Sequence, residues 1–129
     1  MFDHVQIKVK DFKKSRSFYE VVLGTLGYKV ALEFEGVVGI GNDPHDMFEV
    51  AQADEEKDLL LSSSVHLALT ADSEEAVRKF YEVAIAHGAK DNGAPALRPE
   101  YEEGYFAAFV IDPDGHNLEA VFKATKLGQ

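Results

Sequence analysis

Two histidines and two glutamates carry the chemistry that this sequence suggests. Glu119 sits inside the apolar closing run Asn117-Leu118-Glu119-Ala120-Val121. An acid in the middle of an apolar strand is costly unless something pairs with it. His4 and His66 each enter an alternating apolar run, and Glu49 lies in Met47-Phe48-Glu49-Val50-Ala51, a setting like that of Glu119. Two imidazoles and one carboxylate form the ligand set of open-sided divalent metal sites. A second carboxylate would give four protein ligands and leave room for water or substrate oxygens. A metal held this way polarises a carbonyl or stabilises an enolate, and lowers the pKa of bound water. A carboxylate displaced from it can act as a general base. His4, His66, Glu119 and Glu49 are therefore the candidate metal ligands, and Glu49 and Glu119 the candidate catalytic groups. Taken singly, each histidine also fits a strand-end residue, and Glu49 fits a solvated edge-strand glutamate.

The case for the set rests on a repeat. His4 and His66 lie 62 positions apart, and Phe18-Tyr19-Glu20-Val21 returns as Phe80-Tyr81-Glu82-Val83 at the same spacing, as does Arg16 at Arg78. A repeat in register takes priority over local propensity. Residues 2–9 alternate, with Val5, Ile7 and Val9 on one face and His4, Gln6 and Lys8 on the other, which predicts a half-buried strand. Asp11 is placed to cap a helix carrying Phe18, Tyr19, Val22, Leu23 and Leu26, with Gly27 as its stop. Strands are expected over Tyr28–Phe34, Val37–Gly41 and Met47–Gln52, the last after the loop Asn42-Asp43-Pro44-His45-Asp46. Residues 53–63, rich in Asp, Glu and Ser, read as a linker. The order then restarts. Val65, Leu67 and Leu69 alternate with His66, Ala68 and Thr70. Asp72 and Glu75 suggest a capping box, and the helix that follows runs to about His87 with Gly88 as its stop. A strand and a proline-containing loop occupy Ala89–Glu103. The closing hairpin turns at Asp112-Pro113-Asp114-Gly115, where proline presets φ and glycine takes the left-handed position.

The fold class expected is α+β. Two tandem βαβββ modules, about 1–52 and 64–123, form a curled eight-stranded mixed sheet with helices outside, as one domain over 1–129. In each module the apolar face of the first strand covers the helix, which leaves His4 and His66 on the opposite face. Pseudo-twofold symmetry would then bring His4, Glu49, His66 and Glu119 to one point. Among the other histidines, His45 reads as a loop residue, His87 as a charge favoured by a helix C-terminus, and His116 as exposed after its turn. Tyr101, Tyr105 and Phe106 suit either a pocket wall or the core.

A chain of 129 residues and 14.2 kDa is long enough for a single core. The net charge of −10 argues against nucleic acid and anionic membranes and permits a cationic ligand. With no cysteine, disulfides, thiolate metal sites and cysteine nucleophiles are excluded. No apolar stretch is long enough to span a bilayer. Met1-Phe2-Asp3-His4 lacks a basic signal-peptide segment, so the expected compartment is the cytoplasm.

With these residues in view, the chain resembles the vicinal oxygen chelate superfamily, which includes glyoxalase I, fosfomycin-resistance enzymes, methylmalonyl-CoA epimerase, extradiol dioxygenases and bleomycin-resistance proteins. The resemblance rests on His4-Val5-Gln6-Ile7, Phe18-Tyr19-Glu20-Val21-Val22-Leu23-Gly24, His66-Leu67-Ala68-Leu69 and the stretch from Gly104 to Glu119. It implies metal ligands at His4, His66 and Glu119, and in some members near Glu49. It implies a divalent ion such as zinc, nickel, manganese or iron, and a small-molecule substrate chelated through adjacent oxygens. The implied activity is of the glyoxalase type (a lyase or isomerase), and the implied assembly is a homodimer. The alternatives it offers are an antibiotic-binding resistance protein of the bleomycin type and a ring-cleaving dioxygenase.

Overall fold

The structure is a computed structural model that describes residues 2–54 and 65–124. The linker expected over 53–63 therefore lies mostly outside the described residues. Strands and helices follow in the order β1 (His4–Val9), α1 (Phe12–Gly24), β2 (Lys29–Phe34), β3 (Val37–Asp43), β4 (Asp46–Gln52), β5 (His66–Thr70), α2 (Glu74–Ala86), β6 (Lys90–Leu97), β7 (Tyr105–Ile111) and β8 (Asn117–Lys123). This is the α+β class with two βαβββ modules. Its eight strands fall into two mixed sheets of four, ordered β1-β4-β3-β2 and β5-β8-β7-β6. The chain divides into two units, 1–65 and 66–129. No helix among the described residues is long and apolar enough to cross a membrane.

In the first unit β1 pairs in parallel with β4, while β3 pairs antiparallel with both β4 and β2. The register sets Val5 beside Phe48 and Ile7 beside Val50, with Ile40 and Val38 across from them. That face is apolar and buried, and the ring of Tyr19 from α1 meets Phe48 at 5.0 Å. Helix α1 starts where Asp11 accepts a hydrogen bond from the Lys14 amide, as expected, and the turn after it closes at Gly27 with φ 91°. The β3–β4 connection is tighter than the expected five-residue loop. Asp43 pairs with Asp46, and Asn42 donates across to the Asp46 carboxylate at 2.8 Å. Only Pro44 and His45 remain in the turn.

The second unit repeats the plan. Leu118 and Ala120 of β8, with Ala108 and Val110 of β7, are buried on the helix side beside Val77, Phe80 and Ala84. Here the cap differs from expectation, because Ser73 and not Asp72 starts α2, its hydroxyl accepting from the Ala76 amide at 3.1 Å. Aspartate and serine are near-equal caps, so the helix register decides. Starting at Ser73 turns Val77, Phe80 and Ala84 inward and puts Glu74 and Glu75 in the first turn, where the helix dipole favours them. Ser73 also stands 62 positions after Asp11, so the repeat marks the cap that the local motif missed.

The closing hairpin forms as expected, with Gly115 at φ 94°. The Asp112 carboxylate accepts from the amides of Asp114 and His116 at 2.9 and 2.8 Å. This folds the turn inward, and His116 is buried, contrary to the exposed position expected for it. Pro95 sits inside β6, an edge strand whose register shifts between Asp91 and Ala96. An edge tolerates the missing amide hydrogen.

Candidate metal centre

Within each sheet the candidate ligands occupy the face that the helix does not cover. In the first unit this face carries His4, Gln6 and Lys8 from β1, Met47, Glu49 and Ala51 from β4, and Gly39 and Gly41 from β3. Glu49 is buried at 6% exposure, whereas the His4 side chain is about half exposed at 47%. His4 Nε2 lies 3.9 Å from Glu49 Oε1, and the Gln6 amide donates to the same oxygen at 2.8 Å. Glu49 Oε2 makes no hydrogen bond among the described residues.

His4 is oriented from behind. Its Nδ1 lies 2.7 Å from Asp3 Oδ1, which leaves Nε2 directed to Glu49. The other Asp3 oxygen meets His45 Nδ1 at 2.9 Å, and the Asp3 carbonyl accepts from the Met47 amide. The bond to Asp3, then the charge of Glu49, raises the pKa of His4 above the ordinary imidazole value. The two imidazoles hold Asp3 below the usual carboxylate range, His4 first and His45 second. Asp3 likewise raises His45.

In the second unit Glu119 is buried at 2% exposure, and His66 is half exposed. His66 Nε2 lies 2.9 Å from Glu119 Oε1, and the Tyr105 hydroxyl donates to Glu119 Oε2 in a short hydrogen bond. Burial, then the bond to Glu119, raises the Tyr105 phenol above the ordinary tyrosine value. Ala107, Phe109 and Val121 cluster on this face with Tyr105 packed against them. The Phe109 ring stands 6.2 Å from the His66 ring and 6.5 Å from Tyr101, and Tyr101 stands 5.3 Å from Tyr105.

The two pairs are equivalent by register. Glu49 is paired with Gln6, two residues after His4, and Glu119 with Ala68, two residues after His66. The four candidates thus come together as His4 with Glu49 and His66 with Glu119. Among the described residues, no three or more histidine, aspartate or glutamate side chains converge as a metal site.

The donor chemistry of each pair fits a divalent ion. Imidazole nitrogen and carboxylate oxygen suit zinc, nickel, manganese or iron. Each pair already has outer partners of the kind that orient metal ligands, namely Asp3 and Gln6 in one unit and Tyr105 in the other.

Of the residues with two readings, Tyr105 belongs to the candidate site. Phe106 belongs to the helix side, where the Arg78 guanidinium lies 4.8 Å from its ring centre. Tyr101 is exposed at the rim of the aromatic group. His45 sits in its turn as expected, and His87 caps α2, its Nδ1 2.9 Å from the Val83 carbonyl oxygen. Gln6 and Asp3 were not among the candidates. Gln6 shares the alternating face of His4, the one sequence signal that pointed to it.

Known proteins share this architecture. A solved glyoxalase/bleomycin resistance protein from Albidiferax ferrireducens T118 superposes with a TM-score of 0.77 at 25% identity, covering 95% of this chain and 98% of its own. A glyoxalase/bleomycin resistance protein/dioxygenase family enzyme from Burkholderia phytofirmans PsJN gives 0.70 at 21% identity, over 94% and 97%. The fosfomycin resistance protein FosX from Listeria monocytogenes, solved as a glutamate-to-glutamine mutant with Mn(II) and 1S,2S-dihydroxypropylphosphonic acid, gives 0.65 at 17% identity, over 94% and 88%. No curated protein matches the sequence. The family model for the Glyoxalase/Bleomycin resistance protein/Dioxygenase superfamily matches residues 1–120, and the chain belongs to that superfamily.

Proposed function

We propose that the protein is a divalent-metal-dependent enzyme of the glyoxalase type, acting on a small substrate that presents adjacent oxygens. The observation that carries this reading is the repeated pairing of a half-exposed histidine with a buried glutamate, at matching register on the open face of each sheet. A buried carboxylate without a cation nearby is costly, and the same arrangement occurs twice. His4, Glu49, His66 and Glu119 would supply the donor set. When bound, the ion would polarise a substrate carbonyl and stabilise the negative charge that develops on its oxygen.

The chain's own groups divide the remaining work. Glu119 has both oxygens engaged, by His66 and by Tyr105, and suits the role of a fixed ligand. Among the described residues Glu49 Oε2 makes no hydrogen bond, and that oxygen suits the removal of a proton next to a carbonyl. Gln6 holds the opposite oxygen and so fixes the direction in which Oε2 points. A homodimer fits the proposal.

The test is metal analysis of the purified protein after chelation and reloading with nickel, zinc, manganese or iron, combined with sedimentation to give its mass. Stoichiometric binding that disappears in His66→Ala supports the reading. The absence of stoichiometric binding of all four metals sinks it.

A further inference from the structure

Among the described residues, the second unit holds an arginine with no acid within ion-pair distance. The sequence has three arginines, Arg16, Arg78 and Arg98. Arg16 forms ion pairs with Glu20 and Glu33, and Arg78 lies 3.7 Å from Glu74. Arg98 has no carboxylate within ion-pair distance among the described residues, although the chain carries a net charge of −10. Its Nη2 donates to the carbonyl oxygens of Ala94 and Ala107, at 2.6 and 3.4 Å. Its Nε is buried without a hydrogen-bond partner among the described residues. Asp91 is near enough to feel its charge but forms no ion pair with it among the described residues, and its Oδ1 accepts from the Gly93 amide and the Tyr81 hydroxyl.

Arg98 is held on the open face of the sheet. Its guanidinium carbon lies 5.3 Å from the centre of the Phe109 ring. Phe109 pairs with Glu119 and faces His66. A side chain at position 93 would crowd this placement. Gly93 has φ 146°, and a Cβ there would fall 3.1 Å from both Arg98 Nη2 and the Phe109 ring. Tyr101 and Tyr105 continue the aromatic surface from Phe109 to Glu119.

An arginine with no acid within ion-pair distance in a strongly acidic protein requires an account, because two carbonyl bonds and a ring compensate a half-buried charge with an orphaned donor only in part. Arginine's planar fork matches a planar oxyanion. We propose that Arg98 is the specificity residue of the site and that the substrate is a small organic oxyanion. Its acidic group is taken by Arg98, and its apolar or aromatic body lies along Phe109, Tyr101 and Tyr105. The inference rests on the enzyme reading for its setting, but its observable is independent of metal. The local cation thus selects the opposite ligand charge from the one that the net charge alone would favour.

The experiment uses the full chain in chelator, with benzoate and phenylphosphonate as probes and benzamide as the neutral control, titrated by isothermal calorimetry. Arginine Nε–Hε resonances are followed by NMR in the same titrations. The expected result is that an anionic probe binds at least ~10-fold more tightly than benzamide and moves one arginine resonance. That resonance should be the one missing in Arg98→Gln, with Arg98→Lys retaining part of the affinity. Preference for benzoate or for phenylphosphonate then separates carboxylate from phosphonate substrates. Equal binding of benzamide, no binding of either anion at millimolar concentration, or a shift at Arg16 or Arg78 instead would overturn the proposal. The NMR readout on the unsubstituted protein keeps the test valid if Arg98→Gln does not fold. Because the metal is absent throughout, failure here leaves the enzyme reading standing, and failure of metal binding leaves this one standing.

Discussion

In the first unit the buried glutamate is held by an amide, and in the second by a phenol. Gln6 donates to Glu49, while position 68, its counterpart by register, is an alanine that donates nothing. Tyr105 serves Glu119 instead, from the neighbouring strand. The next positions diverge as well. Gly39 pairs with Glu49 where Phe109 pairs with Glu119, and Gly41 pairs with Met47 where Ile111 pairs with Asn117. The first unit fills its glycine space with the Met47 side chain, and the second builds an aromatic surface with an arginine against it. A duplicated scaffold therefore holds the same histidine–glutamate pair in two environments. The first leaves a carboxylate oxygen open, and the second occupies both oxygens and surrounds the pair with rings. On the proposed function, Glu49 would serve as the base and Glu119 as the fixed ligand.

The largest effect should come from breaking that division directly. Glu119→Gln should eliminate stoichiometric metal binding in calorimetry. Glu49→Gln, which leaves a neutral amide oxygen at the fourth donor position, should weaken it without eliminating it. Equal loss in both variants would make the two glutamates the same kind of group and remove the assigned roles. The glycine positions test the packing half of the comparison. A Cβ at Gly41 would lie 2.6 Å from the Met47 Cα, which is backbone and cannot swing aside. Gly41→Ala should cost about 1–3 kcal/mol by overpacking, read from the urea midpoint. Gly39→Ala meets chiefly the flexible end of Met47 and should cost less. The reverse order would show that the Met47 side chain is fixed in place.

Tyr105→Phe tests the phenol. It leaves a buried carboxylate oxygen without its donor, a loss of about 1–3 kcal/mol. Metal affinity should fall roughly 10–100-fold. The folded protein raises the Tyr105 pKa, so the folded state keeps that proton longer than the unfolded chain does. The stability it lends is full below the ordinary value of 10.0 and declines as pH rises from there through the raised folded value. The unfolding midpoint of the unsubstituted protein should therefore fall more steeply above pH ~10 than that of the phenylalanine variant. Parallel curves would show that folding does not raise this phenol.

What the sequence disclosed of all this follows from which signals have a period. Alternation in β1 and β5 put His4 and His66 on the face away from the helix, and the 62-residue spacing aligned both helices, including the cap that the local motif misplaced at Asp72. Glu49 and Glu119 were legible as acids in apolar strands, and β-register makes them equivalent although 70 positions separate them. Gln6 escaped notice because the repeat supports no polar residue there, Ala68 standing in its place. Arg98 reaches Phe109 only through the shifted register of β6 and the positive φ of Gly93, neither of which leaves a pattern in composition or spacing. His116 was expected at the surface because tight turns project outward, but the Asp112 carboxylate gathers two turn amides and buries it.

Asp3 gives the smallest effect and the most direct contrast between the units, since position 65, its counterpart 62 residues on, is valine. Asp3→Asn removes the first cause of the raised His4 pKa and leaves the weaker one, Glu49, so His4 should titrate closer to its ordinary value of 6.5. The sign of the linked stability differs between the partners. His4 is raised, so its contribution is full below 6.5 and is lost as pH climbs through the folded value. Asp3 is depressed, so its contribution is full above 3.8 and is lost as pH falls through the folded value. The unsubstituted protein should therefore exceed the asparagine variant in stability most between about pH 3.8 and 6.5, and the gap should close on both sides. Urea midpoints of the metal-free protein across that range read it, and nitrogen NMR of the imidazoles reports the tautomer alongside. His66 has no carboxylate behind it among the described residues and should show no change in either measurement. No gap at any pH would mean that Asp3 works only through its backbone carbonyl and the Met47 amide, a strand tie that the asparagine variant keeps, and that His4 is oriented from the glutamate side alone.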